Sequence, residues 1–389
     1  MSKKPNVKSL YYITHVENIP SILRHGILSH ASVEEQQLEF TRIYDKAIVT
    51  HRKDRQTPAG RSLWEYANLY FQPRNAMMYR VVHEKGHKQL AVVAVRPSAL
   101  DADGAWVSTG NAASPVSDIL SPERGLAEVK RIWRIINGEW WNPTDGSKRK
   151  MMAECLVPER VPPEQIHSVY VASQETADTI RRGTGSAGIS VVPEPNMFFQ
   201  PVGKHRLTNT LSLVEGDMFF SHMQTVTVSV NVVGVMGKGL ASRAKYQFPD
   251  VYVAYQDACR KKTLRMGKPY LYRREAYLDE ELADDPASLR DPNDRKWFLL
   301  FATKSHWRDK ADLAGIEDGL AWIEGKYERE GIESLAIPAL GCGLGRLGWG
   351  EVGPLMCRHL ARLSTRVAVY LPRGRQIPKQ ELSPGFLLA

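Results

Sequence analysis

A chain of 389 residues, 43% hydrophobic and 24% charged, has the composition of a globular protein with length for two separate cores, and it excludes fibrous and low-complexity classes. No apolar run approaches the roughly 18 residues of a membrane span, the start lacks an export signal core, and four scattered cysteines (Cys155, Cys259, Cys342, Cys357) form no C-x-x-C pair. A cytoplasmic protein without membrane partner or metal is therefore expected, and its net charge of +9, spread over both halves, suits a polyanionic partner or anionic ligands without choosing between them.

In chain order, "LYY" reads as a short apolar strand ending near His15, and "VENIPSILRHGIL" as a helix closed by Gly26 with Ile19, Ile22 and Leu23 on one face. "QLAVVAVRP" (Gln89 to Pro97) is a strand stopped by proline. "HSVYVAS" (His167 to Ser173) is another, with a helix in "QETADTIRR" after it. Many strands with few helices indicate an α+β first domain over residues 1–192. Three prolines among polar residues mark a connector over 193–207.

From 208 to 373 strands and helices alternate. Strand 225–230 is followed by a helix over about 240–248 that Pro249 stops, then strand "WFLLFAT", helix "LAGIEDGLAWIEGKYERE", strand "SLAIPAL", helix "EVGPLMCRHLARL" and strand "RVAVYLP". A short tail, 374–389, follows. Such alternation predicts a mostly parallel sheet covered on both faces, an α/β/α three-layer domain whose ligands sit at the carboxyl ends of strands. "NVVGVMGKG", "TKSHWR" and "ALGCGLGRLGW" all fall at those ends.

The turn "VNVVGVMGKGLA" fits neither common phosphate motif. Gly239, not Ser or Thr, follows Lys238, and Gly234, Gly237 and Gly239 are spaced G-x-x-G-x-G. It is either a seat for an anion at a helix start or a tight turn needing positive φ. "PALGCGLGRLGW" carries Gly341, Gly343, Gly345 and Gly348, a density that implies close approach of backbone to a ligand. Two such loops facing each other suit a diphosphate.

On these residues, with "TKSHWR", the region 208–373 resembles a macrodomain, and among macrodomains the DarG antitoxins that remove ADP-ribose from DNA bases. The resemblance implies that Gly216 and Asp217 frame the adenine side. It sets Asn231, Gly237 and Gly239 near the distal ribose, wraps Gly343, Leu344 and Gly345 around the phosphates, and gives hydrolase activity to Lys304. Without the family, Lys304 reads as a solvated lysine at a strand end.

The first segment resembles the DarT toxins, which transfer ADP-ribose from NAD onto bases of single-stranded DNA. The carriers are "LYYITHVENIPSILRHGIL", "YANLYFQPRNAMMY" and "KMMAECLVP". By this resemblance Glu154 is the catalytic glutamate, and Arg52, with Arg55 as the alternative in "THRKDR", grips NAD. His15 and Asn18 meet the nicotinamide end, and Tyr66, Tyr70 and Arg74 lie near the NAD pocket. Read without it, Glu154 is either inward and tuned or on an outer strand face. DNA contact is expected from Arg80 and from Lys148, Arg149 and Lys150, with Trp140 and Trp141 as base-stacking candidates or core.

The two resemblances imply a fused writer and eraser of DNA ADP-ribosylation, with NAD as substrate and the domains interacting in cis. DarG antitoxins carry a further toxin-blocking domain, for which the short tail leaves no room. An RNA- or protein-directed transferase, or a macrodomain that only reads ADP-ribose, are the alternatives.

Overall fold

Runs such as "LAVVAV" bury both faces of a strand, and strands of this kind build the first unit of the computed structural model. The structure describes residues 7–44, 46–138, 140–141, 145–184, 189–221, 223–274, 296–372 and 376–389. It divides into two units, Met1–Gln200 and Pro201–Ala389.

In the first unit the strands are β1 (Leu10–His15), β2 (Tyr66–Tyr70), β3 (Leu90–Val95), β4 (Trp106–Ser108), β5 (Ile119–Leu120), β6 (Glu154–Pro158), β7 (Ile166–Val171) and β8 (Ser190–Pro193). They form one eight-stranded sheet in the order β8-β7-β3-β1-β2-β6-β4-β5. All pairs are antiparallel except β8 with β7. Helices α1 (Ile19–His25), α2 (Lys46–Asp54), α3 (Ala76–Lys85), α4 (Pro122–Arg131), α5 (Ser147–Lys150) and α6 (Gln174–Thr184) complete it. This is the α+β arrangement expected.

Strand alternation assigns the faces. Cys155 and Val157 of β6 join the main core with Leu69, Val93, Val107 and Val169. Leu156 turns the other way, into a smaller cluster with Leu63, Tyr66, Ala112 and Ile119. Glu154 has the parity of Leu156, so its carboxylate points away from the main core.

The second unit holds β9 (Gly203–Arg206), β10 (Leu211–Glu215), β11 (Thr225–Asn231), α7 (Gly239–Gln247), α8 (Pro249–Arg260), β12 (Tyr270–Tyr272), β13 (Trp297–Lys304), α9 (Leu313–Lys326), β14 (Ser334–Pro338), α10 (Trp349–Leu360), β15 (Arg366–Tyr370) and α11 (Pro384–Leu387). The sheet runs β9-β10-β15-β14-β11-β13-β12. Its inner five strands are parallel and both edge strands antiparallel. Leu299 and Phe301 of β13 pack in one core with α9 and α10 residues, while Phe298, Leu300 and Ala302 pack in another with those of α7 and α8. Those two cores on opposite faces make three layers.

Three local expectations change. Pro249 does not simply stop a helix: it occupies the first turn of α8, where its missing N–H costs nothing. The 193–207 stretch is not a bare connector. Pro195 opens a 3-10 turn over Pro195–Phe198, Phe198 and Phe199 are buried, and Gly203–Arg206 pairs with β10. In the tail, Leu387 is fully buried and Trp349 Nε1–H donates to the Glu381 carbonyl at 3.1 Å. Residues 373–375, where domain gives way to tail, lie outside the described residues.

Candidate active sites

The first site grows from the start of β6. Register sets Glu154 opposite Tyr70 of β2, and Glu154 is 1% exposed. A carboxylate at that depth requires partners. Arg52 of α2 supplies two bonds, Nη2 to Oε2 at 3.0 Å and Nη1 to Oε1 at 3.4 Å. The Ala112 N–H adds a third to Oε1 at 2.9 Å. The Glu154 N–H in turn donates to Ser108 Oγ at 3.1 Å, and that hydroxyl donates to the Gly110 carbonyl at 2.6 Å.

Arg52 is itself buried, and its Nε has no hydrogen-bond partner among the described residues. Burial works against its charge, yet the adjacent Glu154 carboxylate outweighs this and holds the guanidinium pKa above its ordinary value. Burial, then the neighbouring Glu154 charge, pushes the Tyr70 phenol up. His30 stacks on Trp64 at 4.2 Å and contacts the Tyr44 hydroxyl at 3.2 Å. Burial, then the Arg52 charge, lowers its pKa to about 4, so it stays neutral beside the pair.

Arg55 does not reach Glu154. Its Nη2 donates to the Ser117 carbonyl at 2.7 Å, and Arg149 Nη1 donates to Ser117 Oγ at 2.9 Å. The Asn111 N–H also donates to the Arg149 carbonyl at 3.0 Å. Both arginines therefore clasp the loop that delivers the Ala112 N–H to Glu154. Nothing in the sequence spacing announces that loop, because backbone groups do the work.

The other expected residues have partners of their own. His15 Nδ1 accepts from the Glu17 N–H, and its Nε2 contacts Gln89. Asn18 joins β1 to the next loop, donating to Thr14 Oγ1 and the Thr41 carbonyl and accepting from the Thr41 N–H at 2.8 Å. Beside it opens a groove lined by Glu17, Leu38, Phe40, Thr41 and Arg42. Tyr66 is a core side chain, its hydroxyl 3.3 Å from Thr57 Oγ1. Arg74 donates to the Asn196 carbonyl at 3.1 Å and covers the Phe199 ring at 4.3 Å. Arg80 Nε is bonded to Glu84 at 2.6 Å. Lys148 and Lys150 flank Arg149 on α5. Trp140 and Trp141 stack at 3.8 Å in an aromatic cluster with Tyr79 and Phe199, Trp141 buried and Trp140 half-buried.

The second site lies on loops at the carboxyl ends of parallel strands. Asn231 ends β11 and uses its side chain on the turn that follows: Oδ1 accepts from the Val233 N–H at 3.0 Å and Nδ2 donates to the Val235 carbonyl at 2.7 Å. The Tyr255 hydroxyl bonds the same Oδ1 at 2.8 Å. Tyr255 was missed because α8 was not read from the sequence. Asp217 caps a 3-10 turn through the Phe219 N–H and pairs with Arg243 at 2.6 Å, and Gly216 packs on Pro201.

Register sets Lys304 of β13 beside Asn231. Its Nζ donates to the Asp309 carbonyl at 3.0 Å and to the Leu344 carbonyl at 3.1 Å, so the lysine is aimed at the glycine loop. Partial burial, then the Arg346 charge, lowers its pKa. Gly237, Gly239 and Gly343 are exposed, and a Cβ on Gly343 would meet open space. Gly345 differs: a Cβ there would lie 2.5 Å from the Gly341 carbonyl, so it holds the loop's fold. Among the described residues no group of three or more His, Cys, Asp or Glu side chains is placed to hold a metal ion, and no helix is long and apolar enough to cross a membrane.

A buried carboxylate on one sheet paired with a helix arginine, and adjoining glycine loops at the strand ends of another, define the class: an ADP-ribosyltransferase joined to a macrodomain. A family model described as "ssDNA thymidine ADP-ribosyltransferase, DarT" matches residues 11–199. Over 385 residues the chain is 54% identical to a DNA ADP-ribosyl transferase–DNA ADP-ribosyl glycohydrolase fusion protein of Thermosipho africanus, covering 99% of each. The solved structure of Thermosipho africanus DarTG in complex with ADP-ribose superposes with a TM-score of 0.88 at 52% identity, over 98% of this chain and all of that one. A DNA ADP-ribosyl glycohydrolase of Thermus aquaticus is 32% identical over 163 residues, 42% of this chain and 41% of that relative. The chain belongs to the family of DarT–DarG fusion proteins.

Proposed function

We propose that the first unit transfers ADP-ribose from NAD to the base of a thymidine in single-stranded DNA, and that the second removes it. Family membership gives the pairing of activities, and the acceptor follows the family model's description. The observation that carries the transferase reading is the buried Glu154–Arg52 pair with Arg52 Nε left as an unmatched donor. An anionic dinucleotide beside that donor would complete it, so the residues present fit NAD.

Arg52 then orients both Glu154 and the bound nucleotide. The bond from ribose C1 to nicotinamide breaks as positive charge develops on the ribose. The Glu154 carboxylate, bonded to a ribose hydroxyl, stabilises that charge. The base nitrogen attacks C1, its proton passes to Glu154, and nicotinamide leaves neutral.

In the second unit the exposed faces of Gly237 and Gly239 offer backbone to the distal ribose, and that of Gly343 to the diphosphate. Lys304, its pKa lowered by desolvation, attacks the ribose anomeric carbon as the free amine. The bond to the base breaks, the base takes up the proton that the amine releases, and water then frees the sugar from the lysine. The test is labelled NAD offered to the Lys304→Ala protein with single-stranded DNA, RNA and carrier protein in parallel. Label should enter DNA alone, and label in RNA or protein at an equal rate would refute the reading.

A further inference from the structure

In the second unit the exposed large apolar side chains among the described residues are Val202, Val233, Val235, Val253, Trp307 and Leu344. Val233, Val235, Trp307 and Leu344 sit on the three loops that carry the second site, and Trp307 is 47% exposed. Apolar side chains exposed singly are ordinary, but several on adjoining loops mark a contact surface. These loops do adjoin. The Val232 N–H donates to the Ser305 carbonyl at 3.3 Å, Lys304 Nζ reaches the Leu344 carbonyl, and Leu344 Cδ1 lies 3.4 Å from where a Cβ on Gly239 would stand.

The charge around them is one-sided. On these loops Lys238, Arg308, Lys310 and Arg346 stand against two acids, and both acids turn to their own backbone. Asp309 accepts from the His306 N–H at 2.8 Å, and Asp312 caps α9 through the Ala314 N–H. The Arg308 guanidinium lies 4.4 Å from the centroid of the Trp307 ring. An exposed aromatic backed by a cation, at the edge of a basic surface, is the pairing that holds single strands: a base stacks on the ring while the cations meet the phosphates.

We propose that Trp307 and Arg308, continued by Val233, Val235 and Leu344, form a docking surface for the single-stranded DNA flanking the modified base. The second unit then grips the nucleic acid as well as its ADP-ribose group. This inference rests on the glycohydrolase reading of the same site and adds a requirement that ADP-ribose alone does not impose.

The experiment uses the full chain carrying Glu154→Gln, so that the first unit takes no part and only removal by the second unit is read. It compares removal from an ADP-ribosylated thymidine-containing oligonucleotide and from ADP-ribosylated thymidine, and measures free ADP-ribose binding by calorimetry. Trp307→Ala should raise the KM for the oligonucleotide about tenfold, with the nucleoside KM and the ADP-ribose Kd unchanged. Trp307→Tyr should restore the oligonucleotide KM, and Arg308→Ala should flatten its dependence on salt. An unchanged oligonucleotide KM, or a loss shared equally by the nucleoside and free ADP-ribose, overturns the docking surface. If the parent protein binds no ADP-ribose and acts on neither substrate, the glycohydrolase reading itself has failed.

Discussion

The two sites of this chain solve the recognition of one chemical group in opposite ways. The first joins a buried carboxylate on a strand, a buried guanidinium from a helix and one loop N–H. The second is made of backbone at strand ends, with exposed glycines and a partly exposed lysine bridging two loops. The contrast teaches that the first site stores its chemistry in an expensive buried pair, where removing one partner is costly. The second keeps its chemistry in loop conformation, where the damage depends on which atom is changed.

The largest effect should come from breaking the buried pair. Glu154→Gln is expected to lower ADP-ribose transfer by about a thousandfold or more, through lost charge stabilisation and proton transfer. It should also destabilise the first unit by roughly 3 kcal/mol, because Arg52 is left buried and uncompensated. Oligonucleotide modification and a thermal melt check the two parts. Arg52→Ala should match it, whereas Arg55→Ala should fold and keep partial transfer, since Arg55 bonds the Ser117 carbonyl and not Glu154.

Next comes the lysine. Lys304→Ala should reduce removal of ADP-ribose by about a hundredfold or more and make expression toxic, and Glu154→Gln in the same chain should abolish the toxicity. The pH profile sharpens this. The Lys304 pKa is lowered, so the reactive free amine appears as pH rises through a value below the ordinary lysine range. Removal should therefore rise with pH along a limb centred below that of a solvated lysine. A rate that falls over the same limb would make the protonated lysine the active form.

Smaller effects separate the framework of the second site from its ligand face. Asn231→Ala should cost about 1–3 kcal/mol of stability, because the 231–235 turn and the Tyr255 hydroxyl lose their partners. Gly345→Ala should destabilise, since its Cβ collides with the Gly341 carbonyl. Gly343→Ala should leave the melt unchanged and weaken ADP-ribose binding. Equal melts for the two glycine variants would break the distinction drawn between them.

Periodicity and glycine spacing made the second unit legible: the alternation of strands and helices, the parallel sheet and the loops at its carboxyl ends were all readable. Side-chain direction was not: that Asn231 would bond its own turn could not be read. In the first unit Glu154 and Arg52, 102 residues apart, meet through a tertiary contact that no local pattern encodes. Only the motif pointed to them. The Ala112 N–H and the Ser117 clasp had no signal at all, because a backbone donor looks the same at every position. Prolines misled twice, at Pro195 and Pro249, where they begin turns or helices that the sequence rules read as breaks.

All of this turns on whether one polypeptide both writes and erases the same mark. The direct measurement is mass spectrometry of a thymidine-containing single-stranded oligonucleotide, first after incubation with NAD and the Lys304→Ala protein, then, with both of these removed, after addition of the Glu154→Gln protein. One ADP-ribose should appear on a thymine base in the first step and vanish in the second. An oligonucleotide that stays unmodified, or an adduct that persists in the second step, would contradict the account.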